Sequence, residues 1–297
     1  MAQEDPPDPF TELASWAATT ERRVRGSRRR ERLVKLIPLL VTGVLAIVVL
    51  VVAVRPMLSS SGPGVVIPTV PVVTRADPFA GTPAENYPSG AAGITLPAAA
   101  AVDGFSAAQV GAALDQVRRA MIAGRLDDRM LTGHDPSRLI ALLAPNQRGP
   151  VGAAFRSAKF AGYATWIDPA VPLDTRQDPR VAGRLTVAST TLDGIRTLRV
   201  TSNFIWVYAF DRADHPVAAT HDEVQWEFPA GTNLRAGDQG MWIGDTKSYT
   251  ALVDCAASDR GLLAPTRPDD GRAGPSSEDP EKLLSADHAL DIGDNCA

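Results

Sequence analysis

Residues 36–54 read LIPLLVTGVLAIVVLVVAV, nineteen consecutive positions without a charge. As a helix rising ~1.5 Å per residue this run is roughly 28 Å long, close to the ~30 Å hydrocarbon core of a bilayer. Arg22, Arg23, Arg25, Arg28, Arg29, Arg30, Arg32 and Lys35 precede it, and after Arg55 the next basic residue is Arg75. A basic flank of this kind stays in the cytoplasm, which predicts a single-pass chain with its N-terminus inside and its C-terminal bulk outside. A cleaved signal peptide fits less well: its apolar core is about 7–15 residues long and ends in a small-x-small site, whereas Val54-Arg55-Pro56 follows here. The expected location is therefore the cell membrane, with the bilayer contacted through residues 36–54 as a retained signal anchor.

Charge is unevenly divided. Through Arg55 there are nine Lys or Arg against six Asp or Glu, a net of +3, so the remainder carries −7. An acidic outer region argues against nucleic acid as a partner, because such modules present a basic face. The two cysteines, Cys255 and Cys296, both fall in that region. In an oxidising compartment a lone pair is most simply a disulfide. It would close a loop of about 42 residues, for which the chain-entropy relation gives roughly 4 kcal/mol.

Composition divides the chain further. Residues 1–35 form a basic cytoplasmic tail in which Phe10, Leu13, Trp16 and Ala17 fall at helical spacing. Residues 55–102 read as a Pro-rich extracytoplasmic linker, with eight prolines among Ser, Gly, Thr and Ala. Residues 103–260 carry the periodic signals of a folded domain. Residues 261–297 read as an acidic flexible tail, PTRPDDGRAGPSSEDPEK, that returns to the domain through Cys296.

Within 103–260 helices come first. Ser106 and Gln109 form a capping box, and Val110, Ala113, Leu114, Val117 and Met121 make one helical stripe that Gly124 can end. A second helix is predicted from Asp135-Pro136 to before Pro145, and a shorter third over Val151–Lys159. The period then becomes two. Leu185, Val187 and Ser189 alternate with polar neighbours, Asp193-Gly194 signals a hairpin, and Arg196–Phe210 returns as a long strand. In it Leu198, Val200, Phe204, Trp206, Tyr208 and Phe210 share one face. The next strand, Thr220–Phe228, places Val224, Trp226 and Phe228 inward and His221, Glu223, Gln225 and Glu227 outward. A last strand region spans Met241–Cys255. The reading is an α+β fold: a single transmembrane helix, then an extracytoplasmic domain of N-terminal helices packed on an antiparallel sheet, curved and NTF2-like if the helices wrap one bent face.

Chemistry is scarce. His215, His221, Asp222 and Glu223 cluster in sequence, but alternation puts His221 and Glu223 on the solvent face and His215 precedes Pro216 in a turn, so the reading is an exposed polar strand face rather than a metal site. There is no HExxH, CxxC, EF-hand loop, GxSxG or phosphate-cradling Gly loop. Asp127-Asp128 and Asp269-Asp270 read as solvated turns. No catalytic, cofactor or metal site is expected. The aromatic set Phe204, Trp206, Tyr208, Trp226 and Trp242 is either core or the lining of an apolar pocket in a curved sheet.

The motifs GFSAAQV, VTSNFIWVYAF and SYTALVDC, with a basic tail ahead and an acidic, Cys-ended tail behind, resemble a group of uncharacterised actinobacterial single-pass membrane-anchored proteins. The resemblance implies an anchor and a disulfide, and no activity. In architecture alone the chain is also similar to assembly factors of type IV secretion and conjugation machines, and to proteins of Mce lipid-import systems. The expected function is a non-enzymatic, membrane-anchored interaction or scaffold module of a bacterial envelope complex. The alternative is an extracytoplasmic small-molecule or lipid binder with an aromatic-lined pocket.

Overall fold

Helical spacing and strand alternation build the domain in that order along the chain. The computed structural model describes residues 77–231, 234–267, 279–291 and 296, all within the unit Arg75–Ala297. Helix α1 spans Ala107–Arg125, and its stripe of Val110, Ala113, Leu114, Val117 and Met121 is buried. Its capping box forms: the Gln109 amide donates to Ser106 Oγ at 3.3 Å, and the Ser106 amide donates to Gln109 Oε1 at 2.8 Å. Two otherwise orphaned helix-end donors are thereby satisfied. Gly124 does not end the helix; Leu126 caps it. The glycine instead permits a close approach, since a Cβ there would stand 2.6 Å from the Tyr163 carbonyl oxygen.

Three helices follow: α2 (Asp128–Leu131), α3 (Ser137–Ala141) and α4 (Pro145–Arg156). The last starts at Pro145 rather than Val151, because a first-turn proline has no intrahelical amide bond to lose. Strands β1 (Arg180–Leu192), β2 (Ile195–Ala209), β3 (Val217–Pro229) and β4 (Trp242–Ala251) form one antiparallel meander in that order. Asp193 and Gly194 join the first two with positive φ at both positions (49° and 79°), as a two-residue turn of matching twist requires. That turn sets the register from Leu192↔Ile195 to Arg180↔Val207.

Alternation along β2 and β3 then separates two cores. On one face Leu198, Val200, Phe204, Trp206, Tyr208 and Phe210 pack with Val224, Trp226, Phe228 and the α1 stripe. On the other, Ile205, Val207, Ala209, Ala219 and Tyr249 pack with Phe79, Ala84, Leu283 and Leu284. The sheet is thus covered on both sides. Short helices Cys255–Ser258 (α5) and Pro280–Leu283 (α6) complete the chain.

These observations correct the expected fold class. Among the described residues the fold is a four-stranded antiparallel sheet with few helices, and no helix is long and apolar enough to cross a membrane. Only α1 approaches spanning length, at 19 residues, and it carries Asp115, Arg118 and Arg119. The run 36–54 and the tail 1–35 lie outside the described residues. The curved, NTF2-like sheet under helices on one side gives way to a meander covered on both faces.

The linker assigned to 55–102 also ends early. Phe79 and Ala84 are fully buried, the Val181 amide donates to the Pro88 carbonyl at 3.0 Å, and Ser89 bridges Arg180. Proline cannot donate to a ladder, but its carbonyl still accepts, so a Pro-rich stretch can lie along a sheet. Part of the region read as a flexible tail is likewise packed. Val253 bridges Pro265, Ala264 is buried, and Leu283 and Leu284 seal the second core. Cys255 and Cys296 form the expected disulfide, with Cα atoms 5.2 Å apart.

Candidate functional site

The polar centre of the domain is built where α1 ends against β3. Asp222 lies on the inward face of β3 and is 3% exposed. Its Oδ2 accepts from the Trp206 indole N–H at 2.8 Å and stands 2.9 Å from Arg125 Nη2. Arg125 occupies the last turn of α1, where the helix dipole favours a cation. Its Nη1 donates to the Ala164 carbonyl and Thr165 Oγ1, each at 2.7 Å, and Nη2 donates to the Ala161 carbonyl at 2.7 Å. Gly124 makes room for this loop, and the Thr165 amide donates to the Gly124 carbonyl at 3.0 Å.

Tyr208 closes the network. Its hydroxyl donates to the Arg125 carbonyl at 3.1 Å and lies 3.1 Å from Thr165 Oγ1. With that one proton committed, Thr165 must donate to Tyr208 while accepting from Arg125. Burial raises Asp222 from an ordinary 3.8 to about 6, against the opposing pull of Arg125 and the Trp206 N–H. Burial also lifts the Tyr208 phenol to about 12. At neutral pH the carboxylate and guanidinium therefore form a buried ion pair. A carboxyl titrating near 6 suits proton transfer, but Asp222 is enclosed, and its partners are a core tryptophan and a helix-end arginine. The network holds the 161–165 loop in place.

The neighbouring residue points the other way. His221 is fully buried on the second face. Its Nε2–H donates to Asn203 Oδ1 at 2.9 Å, a tautomer assigned because the Asn203 amide nitrogen donates to Glu223 at 3.3 Å. The remaining Nδ1 lies 3.1 Å from the Tyr249 hydroxyl, which is 2.8 Å from the Leu283 carbonyl. That single phenolic proton serves either Nδ1 or Leu283. Burial lowers His221 to about 4; nearby His288 and Arg184 add to this and Asp287 opposes it. The imidazole is neutral.

The expected exposed cluster of His215, His221, Asp222 and Glu223 is therefore dispersed. His215 stays in the β2–β3 turn, and His221 and Asp222 are buried on opposite faces. His221 is not solvated, because residues 79–87 and 283–288 cover the face that alternation assigned to water. Among the described residues no three His, Cys, Asp or Glu side chains are grouped to hold a metal. Phe204, Trp206, Tyr208 and Trp226 are each at most 1% exposed and belong to the first core. Trp226 spends its N–H on Ser202 at 2.9 Å. Trp242 alone of that set reaches a surface recess, its N–H on the Asp238 carbonyl at 2.8 Å.

Sequence reasoning missed Arg125 and Thr165, and it named Asp222 only as a member of the histidine cluster. For Asp222 a signal existed, since alternation places it with Val224 and Trp226 rather than with His221. No protein-family model, curated protein or solved structure matches the chain.

Proposed function

We propose that the domain is a non-enzymatic, extracytoplasmic interaction module of a bacterial envelope complex. The observation that carries this reading is the recess of about 250 Å³ at the β1–β2 hairpin end of the sheet. Leu192, Ile195, Leu234 and Trp242 give it an apolar floor, and Asp193 and Asp238 an acidic rim. Ile195, at 37%, is the exposed large hydrophobic residue among those described. An apolar centre inside a charged rim is how protein-binding patches are organised. The acidic rim selects a partner segment that presents an apolar side chain beside Lys or Arg. The buried ion pair and the buried imidazole support the non-enzymatic reading, because both are committed to the fold. The Cys255–Cys296 disulfide supports an oxidising compartment. Placement at the cell membrane, and kinship with the actinobacterial proteins, are separate proposals that rest on sequence alone.

A peptide panel tests the docking reading. Full-length protein should bind peptides pairing leucine with lysine at least roughly tenfold better than their glutamate counterparts, with affinity falling as salt rises. Ile195→Asp should abolish the difference. Binding indifferent to peptide charge and to Ile195→Asp would remove the basis for this function.

A further inference from the structure

A second, smaller recess lies at the opposite end of the strands, where the loop 160–166, α5 and residues 261–263 meet β3 and β4. Its polar wall comprises Arg125, Thr165, Trp166, Thr220, Thr250 and Ser258, and Arg125 is its one charged residue. Two buried donors of residues on that wall have no partner among the described residues: Arg125 Nε and the Trp166 indole N–H. Arg125 is 2% exposed. Buried N–H groups are nearly always paired, so two orphans on one recess ask for an acceptor from outside the chain.

The rest of the wall narrows what that acceptor is. No acidic residue lines the recess, and the Asp222 carboxylate engages the guanidinium at Nη2, leaving the Nε edge. An anion is therefore not met by a like charge on the wall. Phe160 and Leu263 give the recess an apolar side suited to a short aliphatic group. The Trp166 ring is already held, with centroids 4.4 Å from Phe160 and 4.8 Å from His134 in a stacked pair. Such a donor is set before the ligand arrives.

We propose that this recess binds a short-chain monocarboxylate, whose oxygens supply the acceptors that Arg125 Nε and Trp166 Nε1 lack. The site is separate from the hairpin-end recess and does not depend on the docking function. Propionate is the probe and propionamide, its uncharged near-isostere, the control, each titrated into full-length oxidised protein with labelled tryptophan. The Trp166 indole N–H resonance, assigned by its loss in Trp166→Phe, should shift and saturate with propionate. Propionamide should bind at least roughly tenfold more weakly, and Trp166→Phe should weaken propionate by a similar factor. Because that N–H has no partner among the described residues, Trp166→Phe removes no hydrogen bond seen there, and its melting curve checks that it folds. Ile195→Asp should leave propionate binding unchanged, so failure of the docking reading does not touch this one. A Trp166 resonance that never saturates, or equal binding of propionate and propionamide, would overturn the proposal.

Discussion

His221 and Asp222 are adjacent in the chain, both fully enclosed, and held by the same strand, yet one stays ionised at neutral pH and the other does not. The difference lies in what each face offers. On the α1 side Asp222 meets a guanidinium and an indole N–H. On the other side His221 meets an amide oxygen and a phenol, neither of which balances a charge. Burial is the largest influence on both groups and opposes charge on each face; on the first the guanidinium and the indole N–H work against it, and the carboxyl still ionises below neutral pH. The first face is an ionic clamp between helix and sheet. The second is a neutral seam under segments that come from far away in sequence.

The most severe way to break the clamp is Arg125→Met. It leaves the Asp222 carboxylate buried without its counter-charge, which typically costs ~3–5 kcal/mol out of a domain's ~5–15. Urea denaturation of the oxidised protein should register the loss, and adding Asp222→Leu should recover much of it. A single variant that loses under ~1 kcal/mol would mean that the pair is not sealed from water.

The neutral face depends on a covalent tie instead. Cys255→Ser opens the Cys255–Cys296 bridge, whose ends are 41 residues apart. Native disulfides are worth about 2–4 kcal/mol. The expected signature is asymmetric: amides of β4 and around Leu283 should exchange faster, while those around Arg125 and Thr165 keep their protection. Equal acceleration on both faces would make them one cooperative unit and dissolve the contrast.

The same asymmetry explains what could be read from the amino-acid sequence. The first face was legible because its signals are local and periodic: the Ser106–Gln109 cap, the α1 stripe, Asp193-Gly194, and the apolar positions from Leu198 to Phe210. The second face was not. Its cover comes from Phe79 and Ala84 among prolines and from Leu283 and Leu284 after an acidic stretch, and isolated apolar residues in such surroundings carry no period. His221 was therefore assigned to solvent by an alternation that was itself right. Asp222 was legible by that same alternation, but its partner Arg125 sits at a helix end far away in sequence, and no spacing rule connects the two. The aromatic set divided likewise: four members are core, and Trp242 reached a surface because β4 begins at the rim of the sheet.

His221→Ala measures the neutral seam directly. Were the side chain solvated, the change would stay within ~0.5 kcal/mol. Enclosed as it is, its loss takes the donor from Asn203 Oδ1 and should cost about 1–3 kcal/mol. Thermal melts at pH 7 would show it. A neutral substitution would mean that residues 283–288 do not seal this face.

The smallest effect is the most discriminating, because it sets the two faces against each other. Asp222 holds its proton more tightly folded than unfolded, so its contribution favours the fold at low pH and is lost as pH rises from 3.8 through about 6. His221 holds its proton less tightly folded, so its contribution is full above 6.5 and is lost as pH falls toward about 4. Across the shared window the slopes oppose, and wild-type stability should change little from this pair. Removing one member exposes the other. Relative to wild type, Asp222→Asn should make stability rise more steeply with pH between about 4 and 6, and His221→Asn should make it fall. Melting temperatures of the three proteins at closely spaced pH values supply the comparison, and groups common to all three cancel in the differences. Slopes of the same sign in both variants would show that the opposite faces of β3 do not impose opposite charge states on neighbouring residues.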